Sequence, residues 1–393
     1  MQSARFLRSL AAVPSFPSSA KRFATLCLVA LAVAGGGARA QKHPKAAAAS
    51  DQPDYARAGK PLPVSPADAQ LQAALRDVSP DRIRQNIEHL VAFNNRSTVS
   101  STETDLKPGT GILAAADWIR GQFEEYSKAC GGCLEVKVDD FVEQPGQGYG
   151  GGRSRIAKPT PLRNVYAILR GTDPAASKRM YLVTGHYDTR VNDVMNAHDF
   201  APGANDDSSG SAVSMESARV FSARYGSQHR FPATLVFVCV AGEEQGLYGS
   251  AHLAKLARSE GWQLEGVLNN DIVGGDTTPG DTLQSKTRVR VFSQGILPTA
   301  PIEQIRAAFA VGGESETPSR QLAREVLDVD RAYLAEAKPL PLRSVMELRL
   351  DRFLRGGDHK SFSDQGFPAI RFTEWRENFN HQHQNVREEN GVQ

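Results

Sequence analysis

Strand-like and helix-like segments alternate along most of the chain, and this alternation most limits the folds it can adopt. Short β-branched and apolar runs predict strands, and apolar residues spaced three and four apart predict helices. Such alternation favours an α/β fold with a mostly parallel central sheet and helices on both faces. Strands are predicted at 134–138, 164–169, 180–184, 234–240, 266–269, 288–292 and 369–372, and helices at 80–91, 112–126, 211–221, 248–258 and 320–326.

Acidic residues and histidines directly follow several of these predicted strands. Ligands of open α/β sheets bind at the carboxyl ends of the strands, so we expect these side chains to share one edge of the sheet. Residues of this kind are His186 and Asp188 after the third strand, Glu243 and Glu244 after the fourth, and Asp271 after the fifth. Asp206, just before a predicted helix, and His381 near the C-terminus add to the set.

Each of these motifs alone has an ordinary structural explanation, but together they indicate a metal site. Imidazole and carboxylate groups suit zinc. Because this set of candidate ligands contains no cysteine, it favours a catalytic over a structural zinc site. The adjacent pair Glu243 and Glu244 follows a fully apolar strand, where two buried carboxylates are costly unless cations neutralise them. Five ligands exceed one tetrahedral catalytic zinc, but they fit two zinc ions if one carboxylate bridges, and they leave one glutamate free as a base.

The N-terminus has the pattern of a targeting segment. Lys21 and Arg22 precede an apolar run, which is followed by the small-x-small sequence at 38–40. We therefore predict a signal peptide over 1–40, a secreted or periplasmic protein, and no stable membrane association after cleavage. Residues 41–75, rich in Ala, Pro and Lys, are predicted to form a disordered extension or pro-segment, and 76–393 the catalytic domain.

Charge and cysteine content exclude some classes of protein. With 46 basic and 44 acidic residues, the chain shows no basic excess that would indicate a nucleic-acid partner. Cys130 and Cys133 lack the second cysteine pair of a zinc ribbon, and export would permit a local disulfide between them. Whether the two are bridged stays open at this point. Cys239 lies in an apolar run and is predicted to be buried, and the Gly-rich stretch at 146–152 is predicted to be a surface loop.

Four motifs in this order resemble the co-catalytic zinc aminopeptidase family. They read GHYDT from Gly185, PGANDDSSG from Pro202, GEEQGLYGS from Gly242 and NNDIVG from Asn269. The family includes secreted bacterial leucine aminopeptidases and is related to glutamate carboxypeptidase, glutaminyl cyclase and the transferrin receptor ectodomain. The resemblance runs from about residue 79 onward and implies the zinc-exopeptidase (phosphorylase/hydrolase-like) fold, two zinc ions, and peptide substrates with a free N-terminus.

The resemblance also implies a role for each site residue. His186 and Asp271 would hold one zinc ion, Glu244 and a C-terminal histidine the other, and Asp206 would bridge them. Glu243 would be the general base and Asp188 the support for His186. The family places an acid four residues after the last histidine ligand; Asn385 stands four after His381, so His381 is preferred to His383 although Asn replaces the acid.

Two further features follow from the resemblance. The peptide bond between Asp206 and Asp207 is expected to be cis. The family pattern also continues into a closing helix after the last ligand, which leaves open a C-terminal truncation of the catalytic domain.

Alternative activities remain open on the same fold. A glutaminyl cyclase uses one zinc ion, and the complete set of five ligands argues against it. A carboxypeptidase needs basic groups for the terminal carboxylate, and Arg349, Arg352 and Arg355 keep this possibility open. A non-catalytic binding domain of the transferrin-receptor type would lack ligands, and none is missing here.

Overall fold

The computed structural model describes residues 65–146, 154–226, 231–275, 281–297, 300–334, 337, 341–353 and 355–388. The predicted signal peptide at 1–40 lies outside these ranges. Of the predicted glycine-rich loop at 146–152, only Gly146 lies inside them. Among the described residues, no helix is both long and apolar enough to cross a bilayer.

Helices and strands alternate as the sequence predicts, with additional elements. The helices are α1 (Ala69–Arg76), α2 (Pro80–Ala92), α3 (Ile112–Ala129), α4 (Ser208–Tyr225), α5 (Glu243–Gly246), α6 (Tyr248–Ser259), α7 (Ile302–Ala310), α8 (Pro318–Tyr333) and α9 (His359–Asp364). The strands are β1 (Leu134–Glu143), β2 (Thr160–Leu169), β3 (Arg179–His186), β4 (Thr234–Val240), β5 (Gln263–Asn270), β6 (Arg288–Ser293), β7 (Arg343–Glu347) and β8 (Ala369–Glu374). Short 3-10 helices cover Thr98–Thr102 and Gly313–Ser315.

The strands described form one mixed sheet in the order β1-β2-β4-β3-β5-β8-β6-β7. The central strands β4, β3, β5 and β8 are parallel to one another, so their carboxyl ends meet at one edge. Antiparallel pairings join β1 to β2, β2 to β4 and β6 to β8. At one edge, β6 and β7 are also parallel to each other. The predicted α/β class with a mostly parallel sheet is therefore correct.

Side chains of β4 alternate between two apolar cores, one on each face of the sheet. Phe237 and Cys239 pack with residues of α3 and α4, whereas Val236, Val238 and Val240 pack with residues of α6. A strand covered on both faces has to be apolar at every position, which explains its uninterrupted apolar sequence.

The end of the segment 41–75, predicted as a disordered extension or pro-segment, is helical in the structure. Residues 69–75 belong to α1, whose N-cap Asp68 accepts hydrogen bonds from the backbone N–H groups of Gln70 and Leu71 at 2.8 and 2.9 Å. Ala74 is buried against Val220 and Tyr225 of α4. The helix is stabilised by this tertiary contact, which the Ala-rich local sequence does not reveal.

The described residues contain three cysteines. Cys130 and Cys133 form a disulfide bond just after α3, and Cys239 is a buried free thiol, as predicted.

Candidate metal centre

The parallel strands bring the predicted site residues to one edge of the sheet. His186 is the last residue of β3, Glu243 and Glu244 begin α5 three residues after β4, and Asp271 directly follows β5. Asp206 lies two residues before α4, on the loop that leads into it. Ligand atoms of His186, Asp206, Glu244 and Asp271 lie close together, and Glu243 lines the same cleft.

Close glycine contacts bring the start of α4 against the strand ends. A Cβ on Gly185 would lie 2.3 Å from the carbonyl carbon of Gly210, and a Cβ on Gly210 would lie 2.0 Å from the carbonyl oxygen of Asn270. Both distances are below those of real contacts, so only glycine permits this approach. As a result, the loop carrying Asp206 reaches the ends of β3 and β5. The Asp206–Asp207 peptide bond is cis, as the resemblance predicts.

Two groups of potential ligand atoms lie side by side. Within each group, the ligand atoms all lie within 4.8 Å of one another. The first contains His186, Asp207 and Asp271, and the second contains Asp206, Glu244 and His383. His186 Nε2 is 3.2 Å from Asp206 Oδ1 and 4.0 Å from Asp271 Oδ1. The two groups therefore form one continuous centre.

The carboxylate of Asp206 lies between the two groups. Its Oδ1 is 3.2 Å from His186 Nε2, and its Oδ2 is 3.0 Å from His383 Nε2. One oxygen thus faces each imidazole, which is the arrangement required of a bridging carboxylate between two metal ions.

The structure corrects the choice of the last histidine. His383 Nε2 lies 3.0 Å from Asp206 Oδ2 and 3.0 Å from Glu244 Oε2, whereas His381 is exposed and makes neither contact. Asn385, the basis for choosing His381, instead donates to Asp199 at 3.1 Å. We therefore replace His381 by His383 in the candidate ligand set.

Asp188 supports both the histidine and the glutamate pair. Its backbone oxygen lies 3.1 Å from His186 Nδ1, and its Oδ1 lies 3.4 Å from the same nitrogen. Oδ1 accepts a hydrogen bond from the N–H of Glu243, and Oδ2 accepts one from the N–H of Glu244, both at 3.1 Å. One carboxylate thereby fixes the imidazole relative to α5, as outer-shell groups do at metal sites.

The carboxylate of Asp207 binds backbone N–H groups, so we do not include it among the candidate metal ligands. Its oxygens accept hydrogen bonds from the N–H groups of His186, Gly210 and Ile272 at 3.0, 2.8 and 3.2 Å. These bonds tie the ends of β3 and β5 to the start of α4, so Asp207 positions the ligands.

Arg371 is a residue of the site that sequence reasoning missed. It is fully buried on β8, and its Nη2 lies 3.0 Å from Asp271 Oδ1, while its Nη1 lies 2.9 Å from Asp351 Oδ1. The available signal was a single arginine inside the apolar run of the last predicted strand. A buried cation there requires a buried carboxylate partner, and Asp271 is one.

The electrostatics of the centre fit a cation. Burial opposes charge on His186, but the adjacent carboxylates of Asp188 and Asp206 hold its pKa well above the usual value. Burial also opposes charge on His383, yet Glu244 and Asp206 raise its pKa to about 10. Burial raises the pKa of Glu243 well above its usual range, and the charges of Glu244 and Asp271 add to this effect. Such a cluster of acids attracts positive charge, and metal binding would displace the protons from the imidazoles.

Two buried polar atoms of the centre that lack hydrogen-bond partners also support a metal ion here. His186 Nε2 and Glu244 Oε1 are buried, yet neither is in hydrogen-bond geometry with any described residue. Buried polar atoms are almost always partnered, so unpaired imidazole and carboxylate atoms facing one centre are the donors that zinc accepts.

The centre opens onto a cleft of about 1330 Å³. Asp206, Glu243, Glu244, Asp271 and His383 all line it. Glu243 is the member of this set that belongs to neither ligand group among the described residues, so it is available for proton transfer.

Comparison with known proteins agrees with this geometry. The family model described as Peptidase family M28 matches residues 164–389. A probable zinc metalloprotease of Pyricularia oryzae is 47% identical over 323 residues, covering 81% of this chain and 60% of that protein. A probable zinc metalloprotease of Pyrenophora teres f. teres is 41% identical over 359 residues, covering 89% and 69%. The chain thus spans 60% and 69% of the lengths of these relatives.

Solved structures share the fold. The LapA aminopeptidase of Legionella pneumophila superposes with a TM-score of 0.52 at 19% identity, covering 86% of this chain and 72% of that one. The glutaminyl cyclase of Macrostomum lignano superposes with a TM-score of 0.50 at 16% identity, covering 82% and 87%. Since these proteins are named for different reactions, the fold alone does not decide between them.

Proposed function

Because the chain belongs to peptidase family M28, we propose that it is a zinc-dependent aminopeptidase that removes N-terminal residues from peptides. The observation that carries this proposal is the pair of adjacent ligand groups with Asp206 between them. Two groups joined by one carboxylate favour a centre of two zinc ions over a centre of one.

The proposal gives each side chain of the centre a role. His186 and Asp271 would hold one zinc ion, Glu244 and His383 the other, and Asp206 both. When bound, the two ions would polarise the scissile carbonyl and lower the pKa of a water molecule. Glu243 would accept the proton of that water and transfer it to the departing amine. Asp188 would keep the ring of His186 oriented and hold the N–H of Glu243, so that the base stays in the lining of the cleft.

Cleavage at the N-terminus is favoured by the ligand chemistry of the centre. Asp206, Glu244 and Asp271 line the cleft and would be neutralised by the proposed zinc ions. A free N-terminal amine is a nitrogen donor of the kind that zinc accepts, so it would bind beside one of the ions, whereas an acetylated amine would not. A substrate would therefore enter with its amine toward the centre.

The test compares peptides that differ only at the N-terminus. Acetylation of the amine should abolish turnover, and removal of metal with a chelator should do the same until zinc is added back. Equal rates on free and acetylated peptides would reject the aminopeptidase while leaving the metal centre in place.

Metal analysis distinguishes this reaction from its alternative. Two zinc ions per active chain are expected. One zinc ion, together with cyclisation of peptides that begin with glutamine, would instead establish a glutaminyl cyclase.

Export is part of the same proposal. It rests on the basic and apolar pattern before residue 40, and the disulfide between Cys130 and Cys133 suits an oxidising compartment. Cell fractionation with N-terminal sequencing of the mature protein would test it; a cytosolic chain that retains residues 1–40 would contradict it.

A further inference from the structure

Basic side chains line the same cleft as the acidic metal centre. Arg155, Arg190 and Arg355 lie on three separate segments and line the same cleft as Asp206 and Glu244. Arg352 and Lys360 also line it, but Arg352 is paired with Asp351 and Glu377, and Lys360 lies 3.0 Å from Asp364.

The first three arginines have no carboxylate partner within the described part of the chain. Arg155 Nη1 donates to the backbone oxygen of Glu244 at 2.8 Å. Arg190 donates from Nε to the carbonyl of Val191 and from Nη2 to that of Asn192, both at 3.1 Å. The guanidinium of Arg355 stacks over the ring of Phe379, 5.5 Å from its centre. Each positive charge is therefore held in place without being neutralised.

The segments that carry these arginines lie next to residues of the metal centre. Arg155 binds the carbonyl of Glu244, a candidate ligand, and Arg190 lies two residues after Asp188. Arg355 lies two residues before Gly357, and a Cβ added to Gly357 would lie 3.2 Å from Asp271 Oδ2. An extended peptide advances about 3.3–3.6 Å per residue, so groups one or two residues beyond the cleaved bond lie within roughly 7 Å of it.

We propose, resting on the function proposed above, that Arg155, Arg190 and Arg355 bind a substrate carboxylate located one or two residues after the cleaved bond. Guanidinium groups pair with carboxylates by charge-assisted, often bidentate hydrogen bonds. The preferred substrates are then peptides with a free amine at one end of the cleft and a negative charge near the other. That charge can come from an acidic side chain or from the C-terminal carboxylate of a short peptide.

The test uses two matched pairs of peptides with the full chain and its zinc. Leu-Asp-amide against Leu-Asn-amide measures the acidic side chain, and Leu-Gly against Leu-Gly-amide measures the C-terminal carboxylate. We expect kcat/KM to favour the acid by about ten- to hundredfold in at least one pair, the range of a hydrogen bond to a charged group. The pair that shows the preference identifies the source of the carboxylate.

Variants connect the preference to the arginines. In a triple variant with Arg155→Gln, Arg190→Gln and Arg355→Gln, the ratio of acid to amide should fall to about one. Arg306→Gln, an exposed arginine on α7 outside the residues that line the cleft, is the matched control and should keep the wild-type ratio. A preference that survives the triple variant, or equal rates on acid and amide in both pairs, would overturn the inference.

Binding of uncleavable peptides separates this inference from the proposed reaction. The reduced-bond analogues of all four peptides bind without turnover. If no peptide is hydrolysed but the acidic analogue of one pair still binds more tightly in an arginine-dependent way, the aminopeptidase is wrong and the carboxylate site stands. If peptides are hydrolysed but the two analogues bind equally in both pairs, the carboxylate site is wrong and the aminopeptidase stands.

Discussion

The two halves of the metal centre are held by different parts of the fold. His186 and Asp271 end adjacent central strands, are buried, and are fixed by Asp188 and Arg371 from the protein interior. His383 lies outside regular secondary structure at a φ of 57°, with a side chain that is 20% exposed. The sheet therefore builds the first half, and the docking of a C-terminal segment completes the second.

Asp206→Asn is expected to have the largest effect because Asp206 belongs to both halves. Zinc content should fall below two ions per chain, and kcat/KM should fall by at least the roughly 10²–10⁴-fold of a lost catalytic base. Metal analysis and kinetics measure the two quantities. Asp81→Asn, an exposed acid on α2, should change neither. Full zinc content and activity in Asp206→Asn would mean that the two halves are independent.

Glu243→Gln should leave both halves assembled and slow the reaction. Glutamine keeps the size of the side chain but cannot accept the proton, so kcat should fall by about 10²–10⁴-fold with KM nearly unchanged. Glu244→Gln is the matched comparison, and it should instead lose zinc from the half that contains His383. Wild-type kcat in Glu243→Gln would refute the proposed mechanism.

Arg371→Met tests whether the buried half depends on its interior ion pair. Removing Arg371 leaves Asp271 without its arginine partner and leaves Asp351 with Arg352 alone, and breaking such a buried pair costs about 3–5 kcal/mol of unfolding free energy. Urea unfolding of the zinc-free protein measures this cost without the contribution of metal binding. Arg84→Met, which breaks an exposed pair, should cost no more than about 1 kcal/mol. Equal costs would show that the buried pair does not support this half.

His381→Ala should have the smallest effect and gives the sharpest test of the second half. His381 is exposed and away from Asp206, so kcat/KM should change by no more than about twofold, as for ordinary surface positions. His383→Ala should lose zinc and most activity while the fold persists. The opposite result would restore His381 as the ligand.

Much of the first half could be predicted from the sequence. Strand β4 was predicted with its observed bounds, because a strand covered on both faces is apolar throughout and ends abruptly at polar residues. The same abrupt endings at β3 and β5 placed His186 and Asp271 at one edge of the sheet. In this region, the apolar run in the local sequence corresponds directly to the burial of the strand in the folded protein, so the strand and its end can both be predicted.

For the second half, the sequence does not identify which histidine completes the centre. His381 and His383 are both histidines in a polar segment without periodicity, so local sequence does not distinguish them. The choice is made by the left-handed backbone at His383 and by long-range bonds such as that from Asn385 Nδ2 to Asp199 Oδ2, at 3.1 Å. Strand directions at the sheet edges were likewise unpredictable, because alternating apolar residues do not reveal whether a neighbour is parallel.

The position of His383 also affects when the centre can form during synthesis. Chains are made from the N-terminus, and early segments begin to fold while later ones are still absent. His186, Asp206, Glu244 and Asp271 emerge from the ribosome long before His383. A nascent chain therefore carries only part of the proposed centre, and it acquires the remaining histidine after the segments that form the central sheet have been made.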